Sequence, residues 1–201
     1  YALFVAFLYL RQRSFIYYPD QLLPSRAIAG VSDMQNITVT TEDGLQLKAW
    51  YKPPASAEKP VIVLFHGNGG NIGWRGIKAR LFINKGYGFL LAEYRGYASN
   101  PGKPSEEGLY KDARAYMHFL LSEGIGADDI VPYGESLGTA VAVKMAEEYQ
   151  GVYAIVLETP FTSMSELAQK HLFYAPAHLL IRDRYDSMSR IEDISAPLLV
   201  I

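Results

Sequence analysis

Beyond about residue 60 the chain is punctuated by short unbroken apolar runs, PVIVLF, YGFLLA, IVPYG, AIVLE and PLLVI, separated by helix-length segments. Runs of this kind, without polar alternation, fit strands buried on both faces, as in a parallel sheet whose crossover helices cover both sides. The clearest intervening helix follows Pro104 and Ser105. Glu106 and Glu107 complement its N-terminal dipole, and Tyr110, Ala113, Met117 and Leu120 or Leu121 recur at helical spacing. Upstream the period changes to two: NITVTTEDGLQLKAWYKPP alternates about EDG and predicts a β-hairpin closed by Pro53 and Pro54. The expected fold class is therefore α/β, with a mostly parallel central sheet and helices on both faces. The segment 161–193 is a longer, aromatic-containing excursion between two strands and reads as a short lid. The last run, PLLVI, reads as a strand with more of the sheet to follow, so 15–201 is expected to be an incomplete domain, truncated before the end of its sheet.

The first residues, YALFVAFLYLRQR, are apolar up to Arg11 and Arg13. A bilayer span needs about 20 such residues, so this stretch reads as the second half of one. Residues 1–14 are thus expected to be a partial N-terminal membrane anchor, with a membrane as partner and a membrane-associated location. Tyr17 and Tyr18 would follow as interface aromatics. A buried amphipathic helix or a signal-peptide core is the competing assignment.

Composition narrows the chemistry. A chain of 201 residues that is 49% hydrophobic has enough material for one folded domain. Its formal charge of -2, with lysines and arginines scattered among acids, offers no basic stripe, and no nucleic-acid partner is expected. The absence of cysteine excludes disulfides, thiolate metal sites and a cysteine nucleophile. No metal-ligand spacing or phosphate loop is present, and no cofactor is expected. A small-molecule or acylated substrate remains.

The stretch IVPYGESLGTAVA places Ser136 between Gly134 and Gly138 where an apolar strand gives way to a small-residue helix. A strand-turn-helix around Gly-x-Ser-x-Gly is the setting of a nucleophilic serine, because the turn is so sharp that side chains at the two glycines would collide with neighbouring backbone. The helix start also aims the free NH of Leu137 at the place where an oxyanion would form. A second loop, HGNGGNIGWR, again follows a strand. It can bring the NH of Asn68 opposite the serine, with Gly69 as the nearby alternative, while His66 braces the loop. A dinucleotide site with Glu93 as ribose acid competes for this loop, but Gly67 and Gly69 would demand glycine at position 72, which is Ile72.

Four motifs in order, HGNGGNIG, EYRGYASNPGKPSEEGL, YGESLGTAVA and LETPFTS, resemble the α/β-hydrolase superfamily, and within it the Bem46-like membrane-associated serine hydrolases. The likeness runs from about Phe15 to the end. It implies Ser136 as nucleophile, with the backbone NH groups of Asn68 and Leu137 as oxyanion donors, and cleavage of an ester, thioester or amide through an acyl-enzyme. Two positions depart from the family pattern: Ala98 stands where a turn glycine is usual, and Pro132 lies in the nucleophile strand, where it removes a ladder donor.

A serine needs a histidine to take its proton and an acid to orient that histidine. The resemblance places the acid after the PLLVI strand and the histidine later, so the 201 residues by themselves are expected to be inactive. Of the histidines present, His118 is expected to be packed in its helix, and His171 and His178 fall in the lid. Glu158 ends the strand before the lid, where some relatives carry the acid; a loop-bracing carboxylate is the simpler role, and Asp186 is likewise expected to be structural. Apolar lid residues Leu172, Phe173, Leu179 and Leu180 favour a hydrophobic acyl group. The rival function is a non-catalytic, membrane-tethered interaction module of the same fold.

Overall fold

Each continuous apolar run forms a strand. The computed structural model describes residues 1–172 and 174–201; Phe173 lies outside the described residues. In chain order the elements are α1 (Ala2–Ile16), β1 (Tyr18–Pro19), β2 (Gln35–Thr40), β3 (Gln46–Lys52), β4 (Val61–Phe65), β5 (Gly69–Gly70), a 3-10 turn (Ile72–Arg75) leading into α2 (Gly76–Ile83), β6 (Gly88–Ala92) and α3 (Glu106–Ser122). They continue with β7 (Ile130–Glu135), α4 (Leu137–Glu148), β8 (Ile155–Glu158), α5 (Met164–His171), α6 (Ala177–Leu180), α7 (Met188–Ile191) and β9 (Leu198–Val200). Seven strands form one sheet in the order β2-β3-β6-β4-β7-β8-β9. The hairpin β2-β3 and the β3-β6 pair are antiparallel, and every later pair is parallel.

Strand alternation explains why the central runs carry no polar residues. Val61, Val63 and Phe65 of β4, with Leu90 and Ala92 of β6, enter the core that includes Leu109, Ala113 and Met117 of α3 and Val141 of α4. Their neighbours Ile62, Leu64, Phe89 and Leu91 point through the sheet into a second core with Ala79 of α2, Val31 and Met34. With both faces covered, a polar side chain on either would lose its water. The α3 helix starts as its sequence predicts: the Ser105 side chain accepts from the Gly108 NH at 3.1 Å.

The expected membrane anchor is overturned. Among the described residues no helix is long and apolar enough to cross a membrane. The α1 helix has 15 residues. Nor does it stop at the arginines. It runs on to Ile16, and Arg13 pairs with Asp183 of the 161–193 excursion at 2.9 Å. Tyr17 is buried rather than an interface aromatic, bonded to Asp183 at 3.1 Å and to the Tyr185 hydroxyl at 2.8 Å. The arginine that reads as a flank of a span is the partner of a buried carboxylate distant in sequence. The membrane partner and membrane-associated location inferred from this segment fall with it.

The excursion itself carries α5, α6 and α7 between β8 and β9. It is fastened at its return by the Arg13, Tyr17, Asp183 and Tyr185 contacts and by the Arg184 NH, which donates to Glu106 at 2.5 Å.

Candidate functional site

Ser136 sits between the last residue of β7 and the first of α4 at φ 50° and ψ -113°, a conformation that a non-glycine residue reaches only when its surroundings hold it there. The surroundings are tight. A Cβ on Gly134 would lie 2.3 Å from the Thr139 Cα, and one on Gly138 would lie 1.9 Å from the Phe65 carbonyl oxygen. The Ser136 NH donates to the Glu158 carbonyl at 2.9 Å, and the Ser136 carbonyl accepts from the Thr139 NH and hydroxyl at 2.9 and 2.6 Å. The side chain is left half-buried at the sheet end. Leu137, as the first helical residue, has an NH with no intrahelical acceptor.

Pro132 leaves this strand intact. The Ile130 carbonyl accepts from the Tyr153 NH, so peptide groups of even-numbered residues face β8. Pairing with β8 begins only at Tyr133, whereas the ladder to β4 runs from Ile130 to Gly134. The missing donor therefore falls where β8 has barely started. Ala98 takes the left-handed conformation at φ 47°, the backbone shape that the expected glycine would supply.

The loop after β4 closes on the serine from the other side. A Cβ on Gly67 would stand 3.5 Å from the Ser136 Cβ. Its neighbour Asn68 is pinned: the side-chain Nδ2 donates to the Ile16 carbonyl at 2.8 Å, while the Asn68 carbonyl accepts from the Tyr18 NH at 2.9 Å and the Tyr97 hydroxyl at 2.8 Å. His66 is fully buried, with Nδ1 2.7 Å from the Gly67 carbonyl and Nε2 2.8 Å from Glu93. Glu93, also fully buried, accepts from the Ile72 and Tyr94 NH groups at 2.9 and 3.1 Å. It braces the loop and offers nothing to a ribose.

A charged cluster that the sequence alone does not reveal flanks Ser136. Arg75 bonds the Glu135 carboxylate at 2.6 Å, and Lys78 reaches Glu135 at 3.1 Å. The same Lys78 pairs with Glu158, which also accepts from the Tyr133 hydroxyl at 2.8 Å. One ammonium thus joins the residue before the serine to the residue whose carbonyl holds the serine NH. Burial acts to raise the Glu135 carboxyl, but the Arg75 hydrogen bond and the charges of Arg75 and Lys78 outweigh it and hold Glu135 below the usual carboxylate range. These contacts of Glu158 are those of a loop-bracing carboxylate.

None of the four histidines bonds Ser136 among the described residues. His66 is committed to Glu93. His118 is exposed, not packed as expected, with only an edge contact to Tyr149 at 6.0 Å. His171 and His178 are exposed, and His178 bonds Gln169 at 2.7 Å. Asp186 accepts from the Ser189 NH at 3.1 Å, a turn contact that fits its structural assignment. No group of histidine and carboxylate side chains that could hold a metal ion is found among the described residues.

Residues 60–187 match the family model described as alpha/beta hydrolase fold. An uncharacterized protein of Mycobacterium tuberculosis (strain ATCC 25618 / H37Rv) is 37% identical over 199 residues, 98% of this chain and 70% of that protein. Protein bem46 of Schizosaccharomyces pombe is 31% identical over 140 residues, 67% of this chain and 47% of that protein. In three dimensions an esterase of Pyrococcus furiosus superposes with a TM-score of 0.70 at 16% identity, covering 91% of this chain and 76% of that one. The last is a likeness of fold. The chain spans less than half the length of bem46.

Proposed function

The chain belongs to the alpha/beta hydrolase fold family, and from that premise we propose that it is the nucleophile-bearing part of a serine hydrolase acting on an ester, thioester or amide through an acyl-enzyme at Ser136. The observation that carries the proposal is the Ser136 backbone at φ 50°, held by two glycines with no room for a Cβ, at the N-terminus of α4. In the reaction so read, Ser136 Oγ attacks the carbonyl carbon and gives up its proton to a histidine base. The developing oxyanion takes hydrogen bonds from the NH groups of Asn68 and Leu137. Collapse expels the leaving group with the proton returned by the base, and water then attacks the acyl-enzyme by the same route in reverse roles. The reading requires a histidine and its acid in addition to the residues described.

The alternative, a non-catalytic interaction module of this fold, draws on one observation, that among the described residues no histidine bonds Ser136. Fluorophosphonate labelling of the full-length protein separates the two. The hydrolase reading expects covalent labelling at Ser136 that disappears in Ser136→Ala. Folded full-length protein that resists labelling, or a Ser136→Ala variant that still labels, overturns it.

A further inference from the structure

Ile16, Tyr17 and Tyr18, where α1 ends, run beside the loop that carries Asn68. Tyr18 pairs with Gly69 and Pro19 with Gly70 as parallel strands, and the Tyr18 NH donates to the Asn68 carbonyl at 2.9 Å. In a parallel ladder of this register the next bond back would run from the Asn68 NH to the Ile16 carbonyl. That bond is not made. The Asn68 side chain takes its place, with Nδ2 donating to the Ile16 carbonyl at 2.8 Å. A carboxamide offers the same N–H donor as a peptide group, so the side chain substitutes for its own backbone. A second donor, the Tyr97 hydroxyl at 2.8 Å, fixes the Asn68 carbonyl. The Asn68 NH is left with no hydrogen bond among the described residues, and it is the NH read above as an oxyanion donor.

The Ile16 carbonyl is itself held in place. Tyr17, the next residue, is extended at φ -108° and ψ 128° and is buried. Its hydroxyl bonds Asp183 at 3.1 Å and the Tyr185 hydroxyl at 2.8 Å. Asp183, also buried, takes two bonds from Arg13 at 2.9 and 3.1 Å. Every side-chain bond of Asp183 found among the described residues thus comes from Arg13 or Tyr17, and a buried carboxylate that lost them would stand unpaired. The seating of α1 on the excursion is fixed by that requirement. We propose that the Asn68 carboxamide is a positioning group: it occupies the Ile16 carbonyl and so keeps the Asn68 NH out of the ladder and free for the oxyanion, while Arg13, Tyr17 and Asp183 hold that carbonyl at the loop. The end of α1 and the return of the excursion thereby become parts of the candidate site. The inference rests on the reading of Ser136 as nucleophile.

The test compares full-length wild type with Asn68→Ala, Tyr17→Phe and a control, Val39→Ala, whose buried side chain lies in edge strand β2, remote from β7 in the sheet order. The measurements are the maximal rate and half-saturating concentration of fluorophosphonate labelling, hydrogen exchange of the residue 68 NH by NMR, and melting temperature. Asn68→Ala should lower the maximal rate on the order of 100-fold, as loss of an oxyanion donor does. The half-saturating concentration should not change, the split expected when only the transition state loses an interaction. Its residue 68 NH should exchange more slowly than in wild type, because it now bonds the vacated Ile16 carbonyl; a merely structural loss would speed exchange instead. Tyr17→Phe should lower the maximal rate on the order of tenfold, and Val39→Ala should label at the wild-type rate despite a lower melting temperature. A folded Asn68→Ala protein that labels like wild type, or whose residue 68 NH exchanges as fast or faster, overturns the proposal. Where Asn68→Ala does not fold, Tyr17→Phe decides, and an unchanged maximal rate there overturns it. If wild type does not label at Ser136, the hydrolase reading fails by itself. Exchange then judges the carboxamide: slower exchange in Asn68→Ala retains its substitution for the backbone NH, and equal or faster exchange removes it.

Discussion

Gly138→Ala is the most direct probe of how the serine turn is held. A Cβ at this position would sit 1.9 Å from the Phe65 carbonyl oxygen, 2.5 Å from its carbon and 2.8 Å from the His66 carbonyl oxygen. Ordinary contact begins at 3.4 Å, so α4 must draw back from β4 by about 1.5 Å, the difference between the two distances. The obstacle is backbone of a central strand and cannot rotate aside. Overpacking of this kind typically costs about 1 to 3 kcal/mol, and the rigid neighbour places the expectation near 3 kcal/mol. The displaced element carries Ser136 and the Leu137 NH. A misplacement of about 1 Å is enough to lower turnover on the order of 100-fold, and the rate of fluorophosphonate labelling should fall by that order. Urea unfolding gives the stability, with Gly69→Ala as control, because nothing lies within 4 Å of a Cβ there and a change within about 0.5 kcal/mol is expected. A Gly138→Ala protein as stable as the control would refute the close approach of α4 to β4. Lost stability with an unaltered labelling rate would keep the packing and refute its coupling to the serine.

Ala98→Gly should stabilise the protein by up to about 1 kcal/mol. The left-handed backbone at φ 47° costs alanine about 1 to 2 kcal/mol, partly offset by the greater chain entropy of unfolded glycine, and a lower melting temperature would contradict this. Glu135 titrates below the usual carboxylate range when folded, so the stability it adds is present above its unfolded pKa of about 4.3 and is lost as pH falls through the depressed folded value. Melting temperature should therefore drop between about pH 5 and 3 more steeply in wild type than in Glu135→Gln; parallel profiles would show that the Arg75 and Lys78 contacts do not persist in solution. Lys78→Met leaves Glu135 and Glu158 without their shared ammonium and should cost about 1 to 2 kcal/mol in urea unfolding, with partial rescue by Lys78→Arg. A neutral Lys78→Met would show that the bridge contributes nothing.

The apolar period determined the architecture. The runs of the central strands are satisfied by burial on both faces, and the division of Val61, Val63 and Phe65 from Ile62 and Leu64 between two cores is that requirement in three dimensions, whereas the last run, β9, is exposed. Gly134, Ser136 and Gly138 were legible for a similarly local reason, since a turn too tight for a Cβ leaves glycines at fixed spacing. What the sequence left open depends on partners far along the chain. The α1 helix reads as half of a membrane span because hydropathy counts residues and not contacts; only the fold brings Arg13 to Asp183 and buries Tyr17 against Tyr185. Lys78 is one charge on a helix face until the sheet order sets β7 beside β8 and carries Glu135 and Glu158 within its reach. The glycine spacing is written in the sequence because it answers to the chain's own backbone. The ion pairs are decided by tertiary structure because each partner is brought within reach by the packing of elements remote in sequence.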